Sequence, residues 1–241
     1  MTSAVALAAQ IIAEYRGSKK QEFDSDYVFF PVYRWSSFYP TALCIKAGLT
    51  ANQVTSIGCA MLLAGVFALY SGWLMTGALL YLAAYVIDFI DGNIARFTKS
   101  FSAFGKMIDG LVDSLTFLIF FALAHGMSVS GQGFFDPSVD VLIGVIVSFV
   151  FLFRCYVQIR LTFVRGSLES TAEQPAASSG RSSRFKFAKR GLLAIVSGMP
   201  LFLILAVLLN LGSLYNLLYA LFFGFLTVVE LIHGLRILYK Q

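Results

Sequence analysis

From residue 52 onward the chain alternates long apolar runs with short polar or glycine-containing turns. An α-helix needs about 20 apolar residues to cross the ~30 Å hydrocarbon layer of a bilayer, and runs of that length recur here. The pattern predicts six spans, near 52–71, 74–94, 106–127, 139–163, 191–209 and 213–235, which puts both termini on one side of the membrane. Upstream, residues 24–47 read differently: Tyr27, Phe29, Phe30, Tyr33, Trp35, Phe38 and Tyr39 mix with Arg34 and Lys46, and Pro31 and Pro40 interrupt the stretch. Aromatic rings beside basic groups suit the headgroup region, so an amphipathic helix lying in the interface is expected. The Ala-rich stretch 3–14 has two readings, a further surface helix or a frayed tail. The expected fold is therefore all-α: a polytopic membrane protein with a tail and interfacial helix over 1–48 and a six-helix transmembrane domain over 49–241.

Composition agrees with that layout. Hydrophobic residues make up 58% of the chain and charged ones 13%, with a mean hydropathy of +0.78, which excludes an ordinary soluble domain. The turns at 72–73, 128–138 and 210–212 contain no Lys or Arg, so all 18 basic residues lie in the tails, the other loops and the helix ends. The positive-inside rule assigns that side, with both termini, to the cytoplasm. The net charge of +5 suits an anionic leaflet and anionic substrates, though topology alone already produces it; no nucleic-acid partner is expected. Residues 166–185 are rich in Ser, Ala and Gly with Pro175 and are expected to form a mobile cytosolic loop. Cys44, Cys59 and Cys155 lack metal-ligand spacing and read as packing residues, as do His125 and His233. Pro200 is expected to kink the fifth span, and Arg236 to neutralise Glu230. No cleavable signal is expected, and there is no internal repeat.

Four carboxylates stand where the second and third runs meet: Asp88-Phe-Ile-Asp91-Gly92-Asn-Ile-Ala95-Arg96, eight residues, then Gly105-Lys-Met-Ile-Asp109-Gly-Leu-Val-Asp113. A carboxylate in a membrane span costs on the order of 3 kcal/mol on insertion scales, so four together call for a function. In a helix Asp88 and Asp91 are about 4.5 Å apart along the axis and about 60° around it, and Asp109 and Asp113 about 6 Å and about 40°. If Gly105 begins the next helix and packs it on the first, all four converge. Oxygen-only ligands without Cys or His suit Mg²⁺ or Mn²⁺, and two such ions clamp phosphoryl groups. The first span opens with Thr50-Ala-Asn-Gln53, a capping-box pattern.

These residues resemble the signature of the CDP-alcohol phosphotransferase (CDP-alcohol phosphatidyltransferase) family, D-x-x-D-G-x-x-A-R-x8-G-x-x-x-D-x-x-x-D. All eight fixed positions are matched, which at roughly one in twenty per position happens by chance about once in 10^10 starts. The resemblance implies a metal-dependent transferase of phospholipid biosynthesis, which releases CMP as an acceptor hydroxyl attacks a CDP-activated donor. It implies that Asp88, Asp91, Asp109 and Asp113 bind the metal ions, with Asp113 as catalytic base. Gly92, Ala95, Arg96 and Gly105 would meet the donor. Asn52 and Thr55 are read either as donor contacts or as helix-end polar groups. Arg154, Arg160 and Arg190 are candidates for an acceptor phosphate because guanidinium forks fit phosphate oxygens. The family would have a proline where Ala51 stands, and a homodimer is also implied.

The short six-span layout resembles the bacterial branch that uses CDP-diacylglycerol with a polar alcohol or alcohol phosphate, in the inner membrane. The alternative is a soluble donor of the CDP-choline, CDP-ethanolamine or CDP-inositol type with a lipid acceptor. A cation-coupled transporter is the contrasting class, but its acids would spread around mid-membrane on broken, repeated helices.

Overall fold

The computed structural model describes residues 3–18, 29–100, 103–169 and 194–239. We name the helices α1 (Ala4–Ser18), α2 (Phe30–Lys46), α3 (Ala51–Tyr70), α4 (Leu74–Phe97), α5 (Ala103–Leu115), α6 (Phe117–Ser130), α7 (Pro137–Glu169), α8 (Met199–Leu208) and α9 (Gly212–Tyr239). No strand occurs among the described residues.

Helix α3 starts where Thr50 caps it: the Gln53 amide nitrogen donates to Thr50 Oγ1 at 3.4 Å and the Thr50 amide nitrogen donates to Gln53 Oε1 at 2.9 Å. It stops at a turn closed by Gly72, whose φ of +83° suits a residue without Cβ, with the Trp73 amide donating to the Ala68 carbonyl at 2.9 Å. The chain then returns as α4, packed closely on α3. A Cβ on Gly77 would lie 2.8 Å from the Gly65 carbonyl oxygen, which leaves no room for a side chain there, and one on Gly65 would be tight at 3.2 Å from the Gly77 carbonyl oxygen. Helix α6 approaches α3 more closely still: a Cβ on Gly126 would overlap the Leu69 carbonyl oxygen.

The main core unites α3, α4, α6, α7, α8 and α9 around Leu69, Ala78, Tyr81, Phe120, Leu123, Val147, Leu203, Tyr219 and Phe223. Phe120 sits at its centre, within 6.1 Å of the rings of Tyr215, Tyr219 and Phe223. Buried polar groups tie the helices together. Asn216 donates to the Phe120 carbonyl at 3.0 Å, and the Ser148 hydroxyl lies 2.9 Å from the Phe117 carbonyl and 2.7 Å from that of Gly144 on its own helix, which compete for its one hydrogen. His125 stacks on Tyr70 at 3.8 Å with its Nδ1 3.1 Å from the Tyr70 carbonyl, which is the structural role expected of it.

Among the described residues, five helices are long and apolar enough to cross a membrane: Ala51–Tyr70, Leu74–Phe97, Met107–Ser130, Pro137–Phe163 and Gly212–Arg236. The third of these is two pieces. Between α5 and α6 the Thr116 amide donates to Asp113 O at 3.2 Å and that of Ile119 to Thr116 O at 3.1 Å, so the ladder changes to a three-residue step there. Of the run expected at 191–209, residues 191–193 lie outside the described residues, and α8 has 10 residues, about 15 Å of helix. Pro200 stands in the first turn of α8, where its missing N–H is tolerated, and the helical run from residue 194 is interrupted two residues before it, at Gly198.

Other expectations are corrected in detail. Pro31 and Pro40 do not interrupt α2: Pro31 occupies its first turn and Pro40 is carried inside it. Beside Pro40 the hydroxyls of Ser36, Ser37 and Thr41 donate to the carbonyls of Tyr33, Arg34 and Ser37 at 2.7–2.8 Å. All but the first of residues 3–14 belong to a packed helix, since Ala8, Ile11 and Tyr15 of α1 bury against Phe38 and Ala42 of α2. Residues 166–169 of the expected loop continue α7, and 170–185 lie outside the described residues.

Candidate active site

Helix α4 places Asp88 and Asp91 on one face, and the chain reverses just beyond it. Lys99 adopts a φ of +53° and the Ser100 amide donates to the Ala95 carbonyl at 3.0 Å, which ends α4 and turns the chain toward α5. Carboxylate oxygens of Asp88, Asp91 and Asp109 then lie within 4.8 Å of one another. At that spacing each pair of charges repels by about 3 kcal/mol at an effective dielectric of ~20, so the cluster calls for a cation or for protonation. Asp113 is not in this mutually close set. It lines, with Thr55, Gly58, Tyr81, Tyr85, Asp88 and Asp91, a small cavity of about 40 Å³.

Thr55, one turn into α3, donates its hydroxyl hydrogen to Asp91 Oδ2 at 2.6 Å; the Ala51 carbonyl, 3.0 Å away, is the competing and weaker acceptor. Asp91 is 7% exposed, and this bond fixes the orientation of its carboxylate. Gly58 permits the approach of α3, since a Cβ there would be 3.0 Å from Ile87 Cγ2. All-oxygen donors at this spacing fit a hard divalent cation.

Gly92 and Arg96 act as a unit. The Arg96 guanidinium lies over Gly92, where a Cβ would come within 3.1 Å of Nη2. Its Nη2 donates to Asn93 Oδ1 at 2.8 Å. Ala95 and Gly105 are half-buried on α4 and α5. Asn52 borders a second, larger cavity of about 650 Å³ with Thr50, Ile94, Thr98 and Ser100, at the end of the α3–α4 seam.

The arginines expected near an acceptor separate. Arg154 pairs with Glu230 at 3.1 Å, and Gln158 also donates to Glu230 at 3.1 Å; Arg154 and Gln158, not Arg236, are the partners that Glu230 shows. Arg160 is exposed, and Arg190 lies outside the described residues. Two residues around Arg96 were not found from sequence. Asn93 is a polar residue in an apolar helix, a signal that was present, whereas Tyr15 gave none.

A transmembrane helical bundle with a carboxylate cluster at the junction of two spans defines the class. The chain belongs to the CDP-alcohol phosphatidyltransferase family, whose profile matches residues 48–229. It is also similar to the archaetidylinositol phosphate synthase of Pyrococcus horikoshii, 31% identical over 98 residues, which are 40% of this chain and 50% of that protein. The chain thus matches about half the length of that curated relative.

Proposed function

We propose that the protein is a membrane transferase of phospholipid biosynthesis. It moves a substituted phosphate from a CDP-activated alcohol, with CDP-diacylglycerol as donor, to the hydroxyl of a polar alcohol or alcohol phosphate, releasing CMP. The observation that carries this reading is the convergence of Asp88, Asp91 and Asp109 to within 4.8 Å of one another beside the cavity that Asp113 lines.

Asp88, Asp91 and Asp109, with Asp113, would hold one or two Mg²⁺ or Mn²⁺ ions. When bound, such ions offset the charge of the diphosphate and of the departing CMP. Asp113 accepts the proton of the acceptor hydroxyl. The acceptor oxygen forms its bond to the β-phosphorus as the bond from that phosphorus to the CMP oxygen breaks, with no covalent phospho-enzyme. Thr55 keeps Asp91 aimed. Arg96, over Gly92, offers its guanidinium to phosphate, and Ala95 and Gly105 leave space for the nucleotide. The cavity bordered by Asn52 is of a size that takes nucleotide-like ligands, typically about 300–1,000 Å³. Arg154 and Arg160, on α7, and Arg190 are the acceptor-side cations.

The same reading takes residues 1–48 as cytoplasmic, with α2 lying in the interface, where Val32, Trp35, Tyr39 and Leu43 are exposed. It takes 191–209 as a sixth span, places the acids at the cytoplasmic face, and pairs the chain with a second copy. The name of the Pyrococcus relative puts an inositol phosphate on the acceptor panel.

The test is CMP release by purified protein in lipid with Mg²⁺ or Mn²⁺, CDP-diacylglycerol and a panel of polar alcohols and their phosphates. Acceptor-dependent release, abolished in Asp113→Asn and by chelation, is expected. Release only from a CDP-choline-type donor with a lipid acceptor would reverse the donor assignment, and silence with both donors would sink the transferase reading.

A further inference from the structure

The side chain of Arg96 is held by contacts that run through three helices. Its Nη2 donates to Asn93 Oδ1 at 2.8 Å. Asn93, 2% exposed, sends its own Nδ2 to α2, 3.0 Å from Ser37 Oγ and 3.4 Å from Thr41 Oγ1. Both hydroxyls are fully buried and give their hydrogens to α2 carbonyls, Ser37 to Arg34 at 2.8 Å and Thr41 to Ser37 at 2.7 Å. Their lone pairs therefore need a donor, which fixes the Asn93 amide with its oxygen toward Arg96. From α1, the Tyr15 ring lies 5.3 Å from Arg96 Cζ, and Arg34 Cζ lies 4.4 Å from the same ring. Tyr15 is 3% exposed and is packed against Phe38.

We propose that Asn93 and Tyr15 are positioning residues for Arg96, so that the two N-terminal helices set where its guanidinium meets the donor diphosphate. This rests on the reading of the site given above. An arginine already held over Gly92 has less rotamer freedom left to lose on binding phosphate than a free one, so the holding raises affinity for the diphosphate. Tyr15 acts through its ring, by cation–π attraction, and Asn93 by relaying the position of α2.

The test uses the full chain in detergent and titrates Mn²⁺ alone, then CDP in the presence of Mn²⁺, against wild type, Tyr15→Leu, Tyr15→Phe and Asn93→Leu, with thermal unfolding of each as a check of folding. Tyr15→Leu is expected to weaken CDP binding about fivefold and Asn93→Leu about tenfold or more. Tyr15→Phe should bind as wild type, and Mn²⁺ alone should bind equally to all four, because the aspartates are untouched. Equal CDP affinity in every variant overturns the proposal. So does a joint fall of Mn²⁺ and CDP affinity, the mark of a merely structural role, or a Tyr15→Phe as weak as Tyr15→Leu. Wild type that binds Mn²⁺ and not CDP overturns instead the reading on which the proposal rests.

Discussion

At the scale of single residues, Thr55 is the most informative neighbour of the acids. Its hydroxyl, 2.6 Å from Asp91 Oδ2, fixes a ligand without itself being one. Supporting bonds of this kind are commonly worth 10- to 100-fold in metal affinity, so Thr55→Val should weaken Mn²⁺ about tenfold or more while leaving the thermal midpoint nearly unchanged. Titration of Mn²⁺ into both proteins checks this, and equal affinities would mean that Asp91 is aimed by packing alone. The acids themselves were legible in the sequence because spacing along a helix fixes which faces they occupy. Thr55 reads from sequence as a donor contact or a helix-end polar group, and its bond to Asp91, 36 residues further on, is in neither reading. The amide of Asn93 was not, because its partner Ser37 stands 56 residues upstream, a separation that no local periodicity reports.

Helices α3, α4 and α9 begin and end within a few residues of where the apolar runs predict, since length and turn residues set those limits; α7 begins so too but runs six residues past the expected end. Two departures have physical causes. The joint at Thr116 is invisible because neither Pro nor Gly stands at it, and only tertiary contacts such as Ser148 Oγ 2.9 Å from the Phe117 carbonyl mark it. Sequence leaves helix α1 between two readings because its stability comes from burying Tyr15 against α2, not from its own composition. Packing of the elements gives a sharper expectation. In Gly126→Ala the new methyl meets backbone, the Leu69 carbonyl, and no rotamer change relieves it. Overpacking typically costs about 1–3 kcal/mol, and this substitution belongs at or beyond the upper end. Gly110→Ala adds its methyl where nothing lies within 4 Å and should stabilise α5 by about 0.5–1 kcal/mol through backbone entropy. Thermal unfolding in detergent separates the two, and similar midpoints would mean that the α3–α6 seam is looser than described.

For the whole molecule, the distribution of basic residues predicts on which side of the bilayer the acids lie. The turn at 131–136 has no basic residue and lies at the far end of α6 from α5, whereas Lys99 closes the end of α4 that carries the acids. In a background with Cys44, Cys59 and Cys155 replaced, a membrane-impermeant maleimide should label Gln132→Cys in intact cells and Lys99→Cys only after permeabilisation. The reverse pattern would put the carboxylate cluster on the outer side and exclude a cytosolic nucleotide as substrate. Sidedness can be predicted from Lys and Arg counts because that rule depends on loops, whose sequence is local, and the labelling experiment is its test. The union of six helices around Phe120 was not, because it depends on contacts across the chain.

The broken third span has a thermodynamic consequence. Asp88 and Asp91 ride on α4, clamped to α3 by backbone-close glycine contacts, while Asp109 rides on thirteen residues separated from the clamped α6 by the joint at Thr116. One side of the cage is an anvil and the other a lever. An ion gripped by both would be a staple across a hinge, and part of its binding free energy would be consumed in stilling the lever, leaving a looser grip than a rigid cage of the same ligands would give.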